Sequence, residues 1–114
     1  MEVIDPRVDD TVASVRRMTA GEGAAIAFEC SGVQVGLDTA VHAIRARGTV
    51  TIVSLWEEKP KIDALDLVLH EKHVIGAVIC DDGDFEAVID AITSGMFRLL
   101  HGANRLLLVM LTSI

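Results

Sequence analysis

Ala24-Ala25-Ile26-Ala27-Phe28-Glu29-Cys30-Ser31-Gly32 holds five consecutive apolar residues followed by a turn toward polarity. Ala24–Phe28 shows no alternation of apolar and polar positions. That pattern belongs to a strand covered on both faces, the kind found in parallel sheets. After Gly32 the period changes. Leu37, Ala40, Val41 and Ile44 recur at i, i+3, i+4 and i+7, one apolar stripe of a helix, with Asp38 and Arg45 turned outward. A buried strand feeding an amphipathic helix is half of a βαβ unit.

The same alternation extends in both directions. Thr49–Val53 and Val74–Ile79 are two further apolar runs that read as buried strands. Leu65, Val68 and Leu69 form a short helical stripe with Asp63 as its N-cap. Phe85, Val88, Ile89 and Ile92 repeat the full stripe, with Asp82 or Asp84 at its start and Gly95 as its C′ residue. Upstream, Val12, Val15 and Met18 suit a helix capped by Asp9 or Asp10 and ended by the Gly21-Glu22-Gly23 turn. Val3-Ile4-Asp5 reads as a brief strand stopped by Pro6. The expected order is β, α, β, α, β, α, β, α, which predicts an α/β fold with a mainly parallel sheet and right-handed crossovers.

Composition narrows the class. The 114 residues are 51% hydrophobic, enough for one domain with a real core. A net charge of −7 leaves no basic stripe to neutralise phosphates, so no nucleic-acid partner is expected. The charge is uneven. Residues 1–95 hold all 17 acids and 8 of the 10 Lys and Arg, whereas 96–114 hold Arg98, Arg105 and no acid. This break divides the chain at Gly95–Met96, with an apolar tail beyond it that includes Leu106-Leu107-Leu108-Val109-Met110-Leu111. The tail is too short and too interrupted to span a bilayer, no membrane partner is expected, and Glu2, Asp5, Arg7, Asp9 and Asp10 break any signal peptide. The default location is cytoplasmic. Cys30 and Cys80 alone supply neither a disulfide framework nor a structural zinc site.

The ordered set Phe28-Glu29-Cys30-Ser31-Gly32, Arg47-Gly48-Thr49-Val50, Asp66-Leu67-Val68-Leu69 with Glu71-Lys72, Gly76 and Asp84-Phe85 resembles the zinc-type medium-chain alcohol dehydrogenases. Within them it is most similar to the 2,3-butanediol and sorbitol dehydrogenase branch. The resemblance runs from about Glu2 to Gly95 and implies the carboxyl-terminal half of a dinucleotide-binding domain. The fold so implied is a partial, doubly wound Rossmann sheet. Ligands of such sheets lie beyond the carboxyl ends of the strands. The resemblance therefore implies NAD or NADP as cofactor, held by Cys30, Ser31 and Gly32, by Ser54, Leu55 and Trp56, and by Ile79 and Cys80. It also implies a homodimer contact around Lys61-Ile62-Asp63.

Several parts of the family's machinery have no counterpart. None of the nine glycines forms a Gly-x-Gly-x-x-Gly turn after a strand, so the first βαβ unit and its pyrophosphate-binding helix end are missing. The acid that grips the adenosine ribose is missing with it. The family's catalytic zinc ligands belong to a separate domain, where zinc is expected, and no residue here matches them; no catalytic residue is assigned. The tail does not resemble the family's continuation and suggests a frame change or a truncated gene. Without the first two strands of the sheet, Ala24–Phe28 is expected to be an open apolar edge that pairs with other chains.

Plainer readings stand beside these. Cys30 lies at a strand-to-helix junction that can activate a thiol, but a packed, unreactive cysteine fits better because no His is near in sequence. Asp81-Asp82-Gly83-Asp84 lacks calcium-loop spacing and reads as helix capping. His42, His70, His73 and His101 form no i, i+4 ligand pair. Trp56 serves equally as a groove or interface residue and as loop packing. Three functions follow: a portion of an NAD(P)-dependent alcohol or polyol dehydrogenase, inactive alone; a non-catalytic dimerising or binding module or gene remnant; and a receiver-like domain, disfavoured because no Asp ends the central strands.

Overall fold

The computed structural model describes residues 2–96 and the backbone of Leu106–Leu107. Its elements run α1 (Thr11–Met18), β1 (Ala24–Glu29), α2 (Gln34–Ala43), β2 (Ile44–Ile52), α3 (Ala64–Leu69), β3 (His73–Gly76), α4 (Asp82–Thr93) and β4 (Leu106–Leu107). The sheet order is β3-β2-β1-β4 and every neighbouring pair is parallel. The expected α/β class and parallel sheet are therefore present.

Local chemistry explains where the helices start. The Asp10 carboxylate accepts from the Ala13 amide at 2.9 Å and caps α1; Asp63 does the same for α3, accepting from Asp66 N at 3.0 Å. At α4 the cap is Asp81, one residue before the expected Asp82. The Asp81 side chain accepts from Asp84 N while the Asp84 side chain accepts from Asp81 N, a reciprocal capping box. Ser94 is the C-cap and Gly95 follows at φ 75°, the left-handed closure expected of it.

The core is small. Val15 of α1, Ala24 and Ala27 of β1, Leu37, Ala40, Val41 and Ala43 of α2, and Ile44 and Val50 of β2 are enclosed together. Ile4, Val12, Ile52, Trp56, Leu67 and Val74 pack against them.

Five expectations about elements need correction. Val3-Ile4-Asp5 is not a strand: the sheet offers it no neighbour, Val3 stays exposed, and Ile4 instead packs on the core. Ile44 is not helical but opens β2, because its backbone is extended (ψ 151°) and pairs with Ala24. The ladder then shifts between Ala24 and Ile26, and it is regular from Ile26↔Thr49 to Glu29↔Ile52. The Val74–Ile79 run pairs only as far as Gly76, because β2 ends at Ile52; the amide of Ala77 donating to Ile52 O is the last rung. In α3, Leu65, Val68 and Leu69 face solvent and Leu67 is the side chain that turns inward. Finally, the outer edge of β1 is not open throughout. Leu106 and Leu107 pair with Ile26 and Ala27.

The carboxyl-terminal part is the less consolidated. No element packs substantially against α4 among the described residues, and its stripe of Phe85, Val88, Ile89 and Ile92 is exposed, Phe85 at 62%. Apart from the backbone of Leu106–Leu107, the tail expectations on 97–114, including Arg98, His101 and Arg105, lie outside the described residues. No helix among the described residues is long and apolar enough to cross a membrane.

Candidate functional site at the strand exits

The parallel strands end on one rim, and a carboxylate organises it. Glu29 is the last residue of β1, and only 2% of its surface is accessible. Its Oε1 accepts from Ser31 N at 2.7 Å, Ser31 Oγ at 2.5 Å and Gly32 N at 3.0 Å. Its Oε2 accepts from the Ser54 hydroxyl in the next strand's exit loop. Burial alone raises the pKa of this carboxyl, but the Ser31 and Ser54 hydroxyls and the Ser31 and Gly32 amides reverse that and hold it below the ordinary value. A buried charge is tolerated because four donors satisfy it.

Backbone contact reinforces this link. Gly32 adopts φ 70°, and a Cβ at that position would lie 2.5 Å from the Leu55 carbonyl oxygen. Only glycine fits both the conformation and the approach. Val53 N also donates to Glu29 O at 3.0 Å. The loops after β1 and β2 thus form one continuous surface.

This brings together four of the eight residues expected on the rim. Ser31 and Gly32 meet Ser54 through Glu29, and Leu55 lies against Gly32 with its side chain 88% exposed. Trp56 is partly buried and packs on the core, with its Nε1 enclosed and without a hydrogen-bond partner among the described residues. Cys30 is exposed rather than packed. Partial desolvation, with the adjacent Glu29 charge, pushes its thiol upward, which disfavours the reactive thiolate.

Ile79 and Cys80 stand apart. They lie beyond the end of β3, both exposed, Ile79 at 93% with φ 55°. No hydrogen bond among the described residues joins them to the other two loops. Glu29 escaped the candidate residues because a carboxylate within an apolar strand resembles a surface residue. The signal that could have found it is its place, two and three residues before the Ser31 and Gly32 amides that it binds.

A second polar cluster involves α2, α3 and the segment before β3. Lys72 Nζ donates to Val41 O at 2.9 Å and to Asp66 Oδ2 at 2.7 Å, and it is nearly buried. His70 Nδ1 lies 2.8 Å from Asp66 Oδ1, and His42 Nε2 lies 3.6 Å from Asp63 Oδ2. Burial would raise the Asp66 carboxyl, but Lys72, by hydrogen bond and charge, with the two histidines holds it below the ordinary value. These contacts join α2 to the segment before β3. Among the described residues no group of three or more His, Cys, Asp or Glu could hold a metal ion. At Lys61, the backbone amide donates to Gln34 Oε1 and the carbonyl accepts from Gln34 Nε2, both at 2.8 Å, so this stretch is fastened within the chain.

Parallel strands, a crossover helix between β1 and β2 and a shared exit rim are the features of part of a Rossmann-type sheet. Residues 1–94 match the family of zinc-binding dehydrogenases, and the chain belongs to that family. It is 36% identical over 81 residues to (R,R)-butanediol dehydrogenase of Neisseria gonorrhoeae, covering 70% of this chain and 23% of the relative. The crystal structure of 2R,3R-butanediol dehydrogenase from Bacillus subtilis superposes with a TM-score of 0.70 at 35% identity, over 81% of this chain and 26% of that one. A zinc-binding dehydrogenase of Sinorhizobium meliloti, solved with NADP, matches with a TM-score of 0.65 at 26% identity, over 81% and 28%. The chain spans about a quarter of the length of these relatives.

Proposed function

We propose that this chain is a portion of the cofactor-binding domain of an NAD(P)-dependent alcohol or polyol dehydrogenase and has no turnover alone. In an intact enzyme of this kind the nicotinamide exchanges a hydride with a carbinol carbon while zinc polarises the oxygen. The observation that carries the reading is the rim tied by Glu29, which sits where a doubly wound sheet receives its ligand. Cys30, Ser31, Gly32, Ser54, Leu55 and Trp56 would line one wall of the nicotinamide side, with Ile79 and Cys80 closing it once β3 is extended.

The fit is to half a groove. Ser31 and Gly32 spend their amides on Glu29, so a ligand would meet the loop's remaining backbone groups and the Leu55 side chain. No glycine-rich turn is present to cradle a pyrophosphate. Taken by themselves, residues 1–114 should bind a dinucleotide weakly, and no turnover is expected of them alone. Location in the cytoplasm and a homodimer through Lys61–Asp63 belong to the same proposal.

Titration with NADH, followed by the fluorescence of Trp56, tests the groove. Saturable quenching at millimolar cofactor, lost in Gly32→Ala, supports it. Absence of any change in the folded chain overturns the cofactor-groove reading.

A further inference from the structure

We propose that the outer edge of β1 is a strand-acceptor site and that its occupant is this chain's own apolar segment at Leu106–Leu107, which shields the edge in cis. The proposal stands on β1 and β4 and holds whether or not the chain binds a dinucleotide.

The pairing itself is parallel, Ile26 with Leu106 and Ala27 with Leu107. β1 is six residues long and β4 only two, so most of the β1 edge has no ladder partner on that side among the described residues. An edge of Ala24-Ala25-Ile26-Ala27-Phe28 carries no charge, proline or bulge-forming glycine to discourage a foreign strand. The family match stops at residue 94, so the occupant comes from a part of the chain that the family does not account for.

Reach and charge favour the chain's own segment. Ten residues separate Gly95 from Leu106, and ten extended residues span up to about 35 Å. Crossing from β3 to the far side of β1 requires three strand spacings, roughly 14 Å. Tethering makes the local concentration of the segment roughly millimolar, which a second copy reaches only in concentrated solution. Residues 96–114 carry +2 against −9 for the remainder, so the whole-chain charge also draws the segment inward. The unbroken apolar sequence from Leu106 to Leu111 contains no acid to repel the edge.

The test uses the full chain. In Leu106→Pro/Leu107→Pro, neither position can donate to a ladder; Ser113→Pro is the control. Hydrogen exchange of the β1 amides should accelerate roughly tenfold or more in the double variant, with larger species in sedimentation, and stay unchanged in the control. Unchanged exchange in the double variant overturns the proposal. A nitroxide placed through Ser113→Cys, in a Cys30→Ser/Cys80→Ser background, gives a second readout that needs no destabilised variant. Broadening of the Ile26 and Ala27 amides within one molecule supports the cis strand. Broadening only when labelled and unlabelled chains are mixed places a second copy on the edge and overturns it.

Discussion

The Glu29 carboxylate accepts a hydrogen bond from the Ser54 hydroxyl, so the last residue of β1 holds the first turn after β2. The three other donors to that carboxylate all belong to the loop that starts α2. A single buried charge therefore decides whether two strand exits behave as one surface or as separate loops.

Replacing Glu29 by Gln exchanges one of its acceptor oxygens for an amide that faces a donor. Hydrogen bonds to charged groups contribute about 1.5–3 kcal/mol each, and not all are lost, so the variant should lose about 2–3 kcal/mol in urea denaturation. Ser54→Ala should cost about 1–2 kcal/mol. Combined, the two should cost less than their sum. Strict additivity would show that the contact contributes nothing.

Acid should act through the same groups. Glu29 and Asp66 both have pKa values below their ordinary ones in the folded chain. Their contribution to stability is thus complete above the unfolded carboxylate range and is lost as pH falls through the folded values. Urea midpoints should be flat from pH 7 to about 5 and fall steeply below about 4. Glu29→Gln should shallow that fall. A variant with an unchanged acid slope would remove Glu29 from the account.

Gly32 and Gly21 separate conformation from contact. Both have positive φ, 70° and 85°, but an added Cβ at Gly21 meets nothing within 4 Å. Gly21→Ala should cost only the left-handed backbone penalty, about 1–2 kcal/mol. Gly32→Ala adds the collision with Leu55 O and should cost at least about 1 kcal/mol more. Equal losses would mean that the two loops do not touch in solution.

Leucines of α2 and α3 offer the opposite contrast. Leu37 is fully enclosed, and truncation to Ala should cost about 2–5 kcal/mol, enough to unfold a chain with so small a core. Leu65 is exposed, and Leu65→Ala should stay within about 0.5 kcal/mol. Circular dichroism melts distinguish them, and comparable destabilisation would place Leu65 in a packed interface.

Local signals made most elements readable. Asp10 and Asp63 cap the helices they were expected to cap, and the apolar runs at Ala24 and Thr49 became neighbouring parallel strands. Periodicity indicates that a helix has an apolar face, but not whether anything covers it. Leu65, Val68, Phe85 and Ile92 match the pattern of core residues and face water, because no described layer lies over them. Ile44 fits the helical stripe at i+7, and pairing with Ala24 outweighed it. At the rim, Ser31, Gly32 and Ser54 were legible from their places after strands. Glu29 was not, because its role depends on a loop 25 residues away.

All nine of the fully enclosed apolar side chains among the described residues fall between Val15 and Val50. On a ribosome, every one of them has been added before the second half of the chain is synthesised. The stable centre can therefore close early, from contacts between residues near in sequence. α4 (Asp82–Thr93) is added only after that centre is complete, so its exposed stripe takes no part in closing it.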